Sequence, residues 1–273
     1  MKQNRDKEIS YDILSIADIE PFLESYVVAG NIKIFKEIDS TSKKAKELAV
    51  AGAAHGTVIL ANQQTAGKGR CGKVFISPPD SGIYMSIILN PDTLKFTNLT
   101  AITAYAALCV CEAIESVCYL RPSIKWVNDI FMHGKKICGI LTEAITKVET
   151  HANISKLIIG IGINVSTKPE VFPEILRDHV GSIYPDHSSP ISRNHLAGEI
   201  MNRVLSWNKP DETQLFDQYK KHLFILGMNI TVAQNKETYI ARALNINNQG
   251  HLIVQRQSGE IEILSSGEVS VSL

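Results

Sequence analysis

The stretch Gly56–Asn90, GTVILANQQTAGKGRCGKVFISPPDSGIYMSIILN, decides the fold class, because two apolar runs flank a loop rich in glycine and in cationic residues. Both runs, GTVILAN and GIYMSIILN, have the length and the β-branched content of buried strands. Walker-type phosphate loops and dinucleotide fingerprints need a helix directly after their glycines. Because a strand follows the glycines here, the sequence counts against both of these nucleotide-binding folds.

The loop between the two runs, QTAGKGRCGKVFISP at residues 64–78, has the composition of an anion-binding segment. Its glycines relax the backbone so that N–H groups can converge, and its cations add positive charge beside them: Gly67, Gly69, Gly72, Lys68, Arg70 and Lys73. No acidic residue lies between Glu47 and Asp80 to neutralise that charge. We expect an anionic ligand such as a phosphate or a carboxylate. A solvated basic surface loop is the alternative reading of the same residues.

The composition limits the class of protein. The chain has 273 residues, 44% hydrophobic and 21% charged, which suits one large domain and one small one. Its start, MKQNRDKEISYD, has no apolar signal region, and no later segment approaches the roughly twenty apolar residues of a membrane span, so we expect a soluble cytoplasmic protein. Balanced charge, 28 basic against 28 acidic residues, counts against broad nucleic-acid binding. The five cysteines show no CxxC pair and are expected to be reduced structural thiols.

The order of predicted elements indicates an α+β catalytic domain with a mixed, largely antiparallel sheet. Strands are expected at residues 31–38, 56–62, 82–90, 123–132, 135–146 and 156–165. Helices are expected at residues 39–52, 98–118, 192–208 and 211–226. A His133-Gly134 turn connects two of the strands. Beyond Gly227 short alternating runs are separated by Ser-Gly and Gln-Gly pairs, which predicts a small β-barrel and a division into domains 1–226 and 227–273.

Four segments together resemble the biotin–protein ligases: the glycine-rich loop, KWVNDI (125–130), KKICGILTE (135–143) and GIGINV (160–165). They occur in the order and spacing of that family, within a resemblance that runs from about Phe35 to the C-terminus. The resemblance implies a catalytic domain related to class II aminoacyl-tRNA synthetases and lipoate ligases, followed by an SH3-like barrel. The residues before the first strand are too few for a winged-helix DNA-binding domain, so the expected form is monofunctional.

The resemblance also implies a reaction. Such a ligase activates biotin with ATP and Mg²⁺ to biotinyl-AMP, and then transfers biotin to a lysine of a biotin carboxyl carrier domain. The residues that match the family's biotin site are Ser40, Thr41, Ser42, Gln64, Gly67, Lys68, Gly69, Arg70 and Lys136. Ser40 and Thr41 could instead simply cap the following helix. Biotin and ATP are the expected small-molecule partners, no nucleic acid or membrane is expected, and both monomer and homodimer remain open.

Charge stabilisation is the expected task of the catalytic residues, because the biotin carboxylate and the α-phosphate of ATP are both anions. Lys136 and Arg70 match the family's principal cations, and Asp129 is the expected Mg²⁺ contact and third catalytic residue. The ATP-binding positions implied by the resemblance are Lys73, Phe75, Lys125, Asn128 and Asn164. Without the resemblance, Lys135-Lys136 and Asn128-Asp129 would read equally as ordinary turns.

Several positions depart from the family pattern. Lys68 and Cys71 replace arginines usual in the loop, Phe75 replaces a tryptophan, and Val127 replaces the proline of KWPND. These changes bear on affinity and loop order more than on activity. Two other functions stay open at this point: a lipoate or octanoate ligase of the same superfamily, and a non-catalytic biotin sensor.

Overall fold

The computed structural model describes residues 12–94, 96, 98–146, 154–186, 189–206, 209–234 and 237–271. Within them, a seven-stranded sheet and a five-stranded sheet are present. The larger sheet consists of β1 (Ile32–Phe35), β2 (Thr57–Ala61), β3 (Gly82–Leu89), β4 (Ser123–Lys125), β5 (Asp129–Met132), β6 (Lys135–Thr146) and β7 (Ile154–Asn164). The α-helices are α1 (Ile16–Ile19), α2 (Thr41–Val50), α3 (Leu99–Cys118), α4 (Arg193–Leu205) and α5 (Glu212–His222). The expectation that residues 1–11 carry no signal region lies outside the described residues.

The strand order of the larger sheet is β1-β2-β3-β7-β6-β5-β4. Strands β1 and β2 pair in parallel, and the other ladders of this sheet are antiparallel. The predicted mixed, largely antiparallel sheet is therefore confirmed. The glycine-rich loop joins β2 to β3, which are antiparallel neighbours, so a strand does follow the glycines.

Helices cover both faces of this sheet. Helix α2 lies on one face, where Ala45 and Ala49 pack with Ile59, Ile88 and Ile158 in a small apolar cluster. Helices α3, α4 and α5 contact one another and the opposite face. Ser40 begins α2 by accepting a hydrogen bond from the backbone N–H of Lys43 at 3.4 Å. The chain is thus a three-layer structure whose sheet is buried on both sides.

Helix α3 is apolar nearly all round because it forms the centre of the core. By length and composition it could cross a membrane, so the expectation that no segment approaches a membrane span is wrong for this helix. However, 83% of its most apolar window is buried inside the protein. Such burial is typical of a core helix packed against a sheet. The apolar composition of α3 therefore says nothing about a membrane.

Most element boundaries shift by a few residues from the predicted ranges, and two differences change the path of the chain. The run expected as one strand at 123–132 is two antiparallel strands, β4 and β5, joined through a cis Trp126–Val127 peptide. Helix α5 ends at His222 instead of 226, because the backbone N–H of Phe224 donates to the Ile124 carbonyl at 3.3 Å and extends the chain beside β4. The predicted turn is confirmed: His133 and Gly134 have φ of 52° and 73° and connect β5 to β6.

The second sheet begins just beyond Gly227. It contains β8 (Asn229–Gln234), β9 (Glu237–Ile246), β10 (Leu252–Arg256), β11 (Ile261–Leu264) and β12 (Glu268–Ser270) in the antiparallel order β11-β10-β9-β8-β12. The predicted turn glycines Gly250, Gly259 and Gly267 all have positive φ. The closed barrel is not confirmed, because no ladder joins the edge strands β11 and β12 within the described residues.

The two sheets meet near the segment that links β4 to β5. The Trp126 indole Nε1 donates to the Gly250 carbonyl at 2.9 Å, and Gly250 lies against the ring of Phe216. The Tyr219 hydroxyl donates to the Val127 carbonyl at 2.9 Å. These buried contacts place the C-terminal sheet beside Asn128 and Asp129.

Candidate active site

Two cavities that share a wall lie where α2, the glycine-rich loop and the larger sheet meet. We call the first the inner pocket; its lining is Thr41, Ser42, Gln64, Lys68, Gly69, Arg70, Phe75, Met85, Asn128, Lys136, Gly139, Ile140, Leu141, Gly160, Ile161 and Gly162. We call the second the outer cleft, a space of about 1180 Å³ between the two sheets. Five residues line both: Gly69, Arg70, Phe75, Asn128 and Lys136.

The predicted site residues divide between these cavities. Seven of the nine residues assigned to biotin line the inner pocket, and the exceptions are Ser40 and Gly67. Ser40 is 1% exposed and caps α2, as the alternative reading expected. The five residues assigned to ATP all line the outer cleft, together with Asp129. The structure therefore brings the predicted residues together, and their individual roles stay predictions.

Hydrogen bonds fix the polar end of the inner pocket. The Gln64 Oε1 atom accepts from the Thr41 backbone N–H at 2.8 Å and from the Thr41 hydroxyl at 3.1 Å. The Gln64 Nε2 atom donates to the Ser77 hydroxyl at 2.8 Å. Gly67 belongs to this packing, because a Cβ there would lie 2.3 Å from the Phe75 carbonyl oxygen and 2.8 Å from Ser77 Oγ. Gly67 thus shapes the loop without lining the pocket.

The aromatic ring of Phe75 covers the floor of the inner pocket. A Cβ at Gly162 would lie 2.6 Å from this ring, and one at Gly139 would lie 3.5 Å from it, so two glycines let the ring rest on the sheet. The free volume left in the pocket is about 40 Å³. Small-molecule sites usually offer about 300 Å³ or more. The Phe75 side chain therefore has to move before a biotin-sized ligand can enter.

Asp129 holds two lysines at the entrance to the inner pocket. The Lys136 Nζ atom lies 2.6 Å from Asp129 Oδ1, and the Lys125 Nζ atom lies 3.3 Å from Asp129 Oδ2. Arg70 adds a third cation by donating from Nη1 to the Asn128 Oδ1 atom at 2.7 Å. The site thus concentrates positive charge on the wall that separates the two cavities, where an anion would be attracted.

Asp129 does not fit a direct metal contact in this arrangement. Each of its carboxylate oxygens faces an ammonium group, and no group of three His, Cys, Asp or Glu side chains that could hold a metal occurs among the described residues. Mg²⁺ is usually bound through one or two carboxylates together with waters and substrate phosphates, and here both oxygens of this carboxylate are occupied by lysines. We therefore assign no step to a metal on Asp129.

Residues at the outer cleft have partners that the sequence did not indicate. Lys73 pairs with Glu268 of β12, with the Nζ and Oε2 atoms 2.7 Å apart, so the loop tip contacts the C-terminal sheet. Asn164 is 2% exposed and donates from Nδ2 to the Gly181 carbonyl at 3.0 Å, while its Oδ1 atom has no hydrogen-bond partner among the described residues. Glu143, at the end of the KKICGILTE segment, lines neither cavity; its Oε1 atom pairs with the Lys46 Nζ atom at 2.5 Å.

Thiol chemistry has no support in this site. Burial raises the pKa of the Cys138 thiol, which lines the outer cleft from β6, so this thiol stays neutral. Burial also raises the pKa of the Tyr219 hydroxyl well above its usual value. This hydroxyl therefore stays protonated and donates to the Val127 carbonyl. Cys71 is exposed at the loop tip with φ of 53°. The site therefore works through position and charge.

Comparison with known proteins identifies the family. Residues 34–164 match the Biotin/lipoate A/B protein ligase family. The Bifunctional ligase/repressor BirA of Bacillus spizizenii is 33% identical over 265 residues, which covers 93% of this chain and 78% of that protein. The chain belongs to the biotin/lipoate A/B protein ligase family. A second relative, the Biotin--[acetyl-CoA-carboxylase] ligase of Mycobacterium tuberculosis, is 26% identical over 246 residues, covering 87% of this chain and 88% of that protein.

The fold of this chain also matches that of a solved structure. The biotin protein ligase from Aquifex aeolicus in complex with biotin and ATP superimposes with a TM-score of 0.74 and 28% identity. The match covers 88% of this chain and 97% of that protein. The predicted ligase fold is thus confirmed over nearly the whole chain.

Proposed function

We propose that this chain is a biotin–protein ligase that makes biotinyl-AMP and transfers biotin to a lysine of a biotin carboxyl carrier domain. The observation that carries the proposal is the shared wall of the two cavities. Lys136 and Arg70 line both the inner pocket and the outer cleft. A ligand acid in the pocket and a nucleotide in the cleft would therefore meet at these two cations.

The first step of the reaction needs this geometry. The biotin carboxylate oxygen attacks the α-phosphorus of ATP, an O–P bond forms, and pyrophosphate leaves with the electron pair of the broken bond. Two anions approach each other, so the fixed charges of Lys136 and Arg70 lower the barrier. In this proposal Mg²⁺ enters as part of the MgATP substrate, held by the phosphates.

The second step transfers the acyl group. The carrier lysine attacks the carbonyl carbon of the mixed anhydride, an amide forms, and AMP leaves. The side chains of the shared wall are two cations, one amide and one aromatic ring, and Asp129 beside them is ion-paired, so they position the reactants and supply no covalent intermediate. Closure of the loop would keep water from the anhydride before the carrier arrives.

The polar end of the inner pocket favours biotin over lipoate. Thr41, Ser42 and Gln64 place two hydroxyls and an amide there, which suits a cyclic urea with two N–H donors and one carbonyl acceptor. A dithiolane or an alkyl chain offers no such partners and would gain no hydrogen bond from these groups. The names of the relatives given above point the same way.

The finer parts of the proposal concern the rest of the molecule. We propose that residues 227–273 form an SH3-like domain that completes the outer cleft, with a boundary after residue 226. Its residues Gly267, Glu268 and Val269 lie on the cleft wall, which supports a role in nucleotide or carrier binding. Cytoplasmic localisation and a biotin carboxyl carrier domain as acceptor stay predictions, and monomer and homodimer both stay open.

Exchange of labelled pyrophosphate into ATP tests the function. The purified protein should catalyse this exchange with biotin and MgATP, and not with lipoate or octanoate in place of biotin. It should also label a biotin carboxyl carrier domain on one lysine, as read by mass spectrometry. Exchange supported by lipoate and not by biotin would assign the chain to the lipoate branch instead.

A further inference from the structure

One polar side chain buried behind the inner pocket has no role in the reaction described above. Ser86 is 0% exposed in the middle of β3, whose neighbouring residues Met85 and Ile87 belong to the apolar core. A buried hydroxyl destabilises a core unless it is hydrogen-bonded. Both bonds of Ser86 lead to the pocket: its Oγ donates to Thr41 Oγ1 at 2.9 Å and lies 3.2 Å from Ser42 Oγ.

These contacts belong to a chain of hydrogen bonds in which each member donates to the next. Its members, in order, are Ser42, Ser86, Thr41, Gln64, Ser77 and the Phe75 carbonyl. A carbonyl oxygen only accepts, so the Ser77 hydroxyl, 3.0 Å from the Phe75 oxygen, must donate to it. Ser77 therefore accepts from the Gln64 amide nitrogen, which turns Gln64 Oε1 toward Thr41.

The same reasoning fixes the hydroxyl protons nearest the pocket. The single proton of Thr41 Oγ1 goes to Gln64 Oε1, so Thr41 accepts from Ser86. Ser86 has then used its proton, and Ser42 donates to Ser86. Thr41 and Ser42 consequently have only lone pairs left for a ligand, whereas Gln64 Nε2 keeps one N–H.

We infer that Ser86 is a positioning residue that fixes the Ser42 hydroxyl as a hydrogen-bond acceptor toward the inner pocket, beside the Thr41 hydroxyl that Gln64 fixes in the same sense. The pocket thereby selects acids whose head group carries N–H donors, such as the cyclic urea of biotin. Without Ser86, the Ser42 hydroxyl can turn its proton into the pocket, where it opposes a ureido N–H group, while the Thr41 proton stays on Gln64 Oε1. This inference rests on the proposed function and names the residue that sets its substrate specificity.

The glycine opposite Ser86 supports this role. Ser86 pairs with Gly160 in the β3–β7 ladder, so both residues face the same side of the sheet. A Cβ at Gly160 would lie 2.7 Å from Ser42 Oγ. The absence of a side chain at Gly160 thus leaves room for the Ser42 hydroxyl beside Ser86.

Ligand selectivity of the Ser86→Ala variant tests the inference. Calorimetric titration should show that biotin and dethiobiotin, which share the ureido ring, bind about five- to tenfold more weakly than to the wild type. Octanoate, measured as a competitor of biotin, has no N–H donor and should keep its inhibition constant. The KM for ATP should not change. Ser182→Ala is the matched control, because it also removes a buried hydroxyl. That hydroxyl donates to the Thr167 carbonyl at 2.7 Å, and Ser182 lines neither cavity.

Two results would overturn the assignment: unchanged biotin affinity in Ser86→Ala, or equal losses for octanoate, ATP and biotin. The second result would mean that Ser86 only stabilises the fold. If Ser86→Ala does not fold, Ser86→Cys keeps a side chain of similar shape with only a weak S–H donor and should show the same selective loss. A wild-type protein that does not bind biotin would instead contradict the proposed function itself, so the two failures are distinguishable.

Discussion

At the scale of single residues, Lys136 carries most of the expected catalytic effect. Replacement by alanine removes a cation from the wall between the inner pocket and the outer cleft. Loss of one such charge typically reduces the rate by about 10²- to 10³-fold. We therefore expect Lys136→Ala to reduce biotin-dependent pyrophosphate exchange by that factor while the melting temperature stays close to that of the wild type.

The neighbouring lysine provides the control for this variant. Lys135 also lies at the start of β6, but its Nζ atom donates to the Arg177 carbonyl at 2.6 Å and lines neither cavity. Lys135→Ala should retain exchange near the wild-type rate. Comparable activity in both alanine variants would remove Lys136 from the catalytic group.

His55 should give the fold a pH dependence that is unrelated to catalysis. Burial, and then the positive charges of Lys209 and Lys156, lower its pKa below the ordinary value of 6.5, and its Nδ1 atom accepts from the Asn90 backbone N–H at 3.2 Å. The folded state thus favours neutral histidine. This stabilisation is complete above pH 6.5 and is lost as the pH falls through the folded-state pKa.

Urea unfolding between pH 5 and pH 8 checks the sign of this effect. The free energy of unfolding should fall as the solution is acidified, and His55→Gln should reduce the slope of that fall. An unchanged slope in the variant would assign the pH dependence to other groups.

At the scale of elements, the glycine-rich loop should change its order with ligand. Fixing a residue costs roughly 1–2 kcal/mol in conformational entropy, and the Lys73–Glu268 pair at its tip is largely exposed. Moreover, Phe75 has to leave the sheet before biotin enters. The free protein should therefore be cut by trypsin first after Lys68, Arg70 and Lys73, and biotin with MgATP should protect these bonds strongly.

ATP without biotin serves as the comparison in this experiment. It should protect less, because it lacks the acid that Arg70 and Lys136 are proposed to hold in the inner pocket. Cleavage at equal rates with and without both ligands would mean that the loop is the solvated basic surface given as its alternative reading.

The sequence predicted elements whose signal is local and failed where distant contacts decide. The strand–loop–strand unit and the His133-Gly134 turn follow from neighbouring residues. The split of 123–132 into β4 and β5 depends on contacts such as Trp126–Gly250, which are far apart in the chain. Ser86 is a polar residue in an apolar run and could have been noticed, but its partners Thr41 and Ser42 come close only in the folded protein.

At the scale of the whole molecule, the two cavities assign different tasks to the two sheets. All lining residues of the inner pocket fall between Thr41 and Gly162, in the catalytic domain. The outer cleft includes six residues from the C-terminal sheet region: Ala233, Gly267, Glu268, Val269, Ser270 and Val271. Binding of the acid and binding of the nucleotide should therefore respond differently to changes in that region.

Removal of residues 227–273 makes this difference measurable. The truncated protein should keep biotin affinity within about twofold, because its inner pocket is intact, and its KM for ATP should rise at least about tenfold, because one wall of the cleft is gone. Carrier biotinylation should fall at least as far as nucleotide use. Biotin binding itself reports whether the truncated chain is folded. If the truncated chain does not fold, Glu268→Ala and Val269→Ala in the full chain test this side of the outer cleft. Ile263→Ala, at an exposed position of β11, is their control. Wild-type use of ATP by a truncated protein that still binds biotin would show that the C-terminal sheet only borders the cleft, and that the nucleotide is bound by the catalytic domain alone.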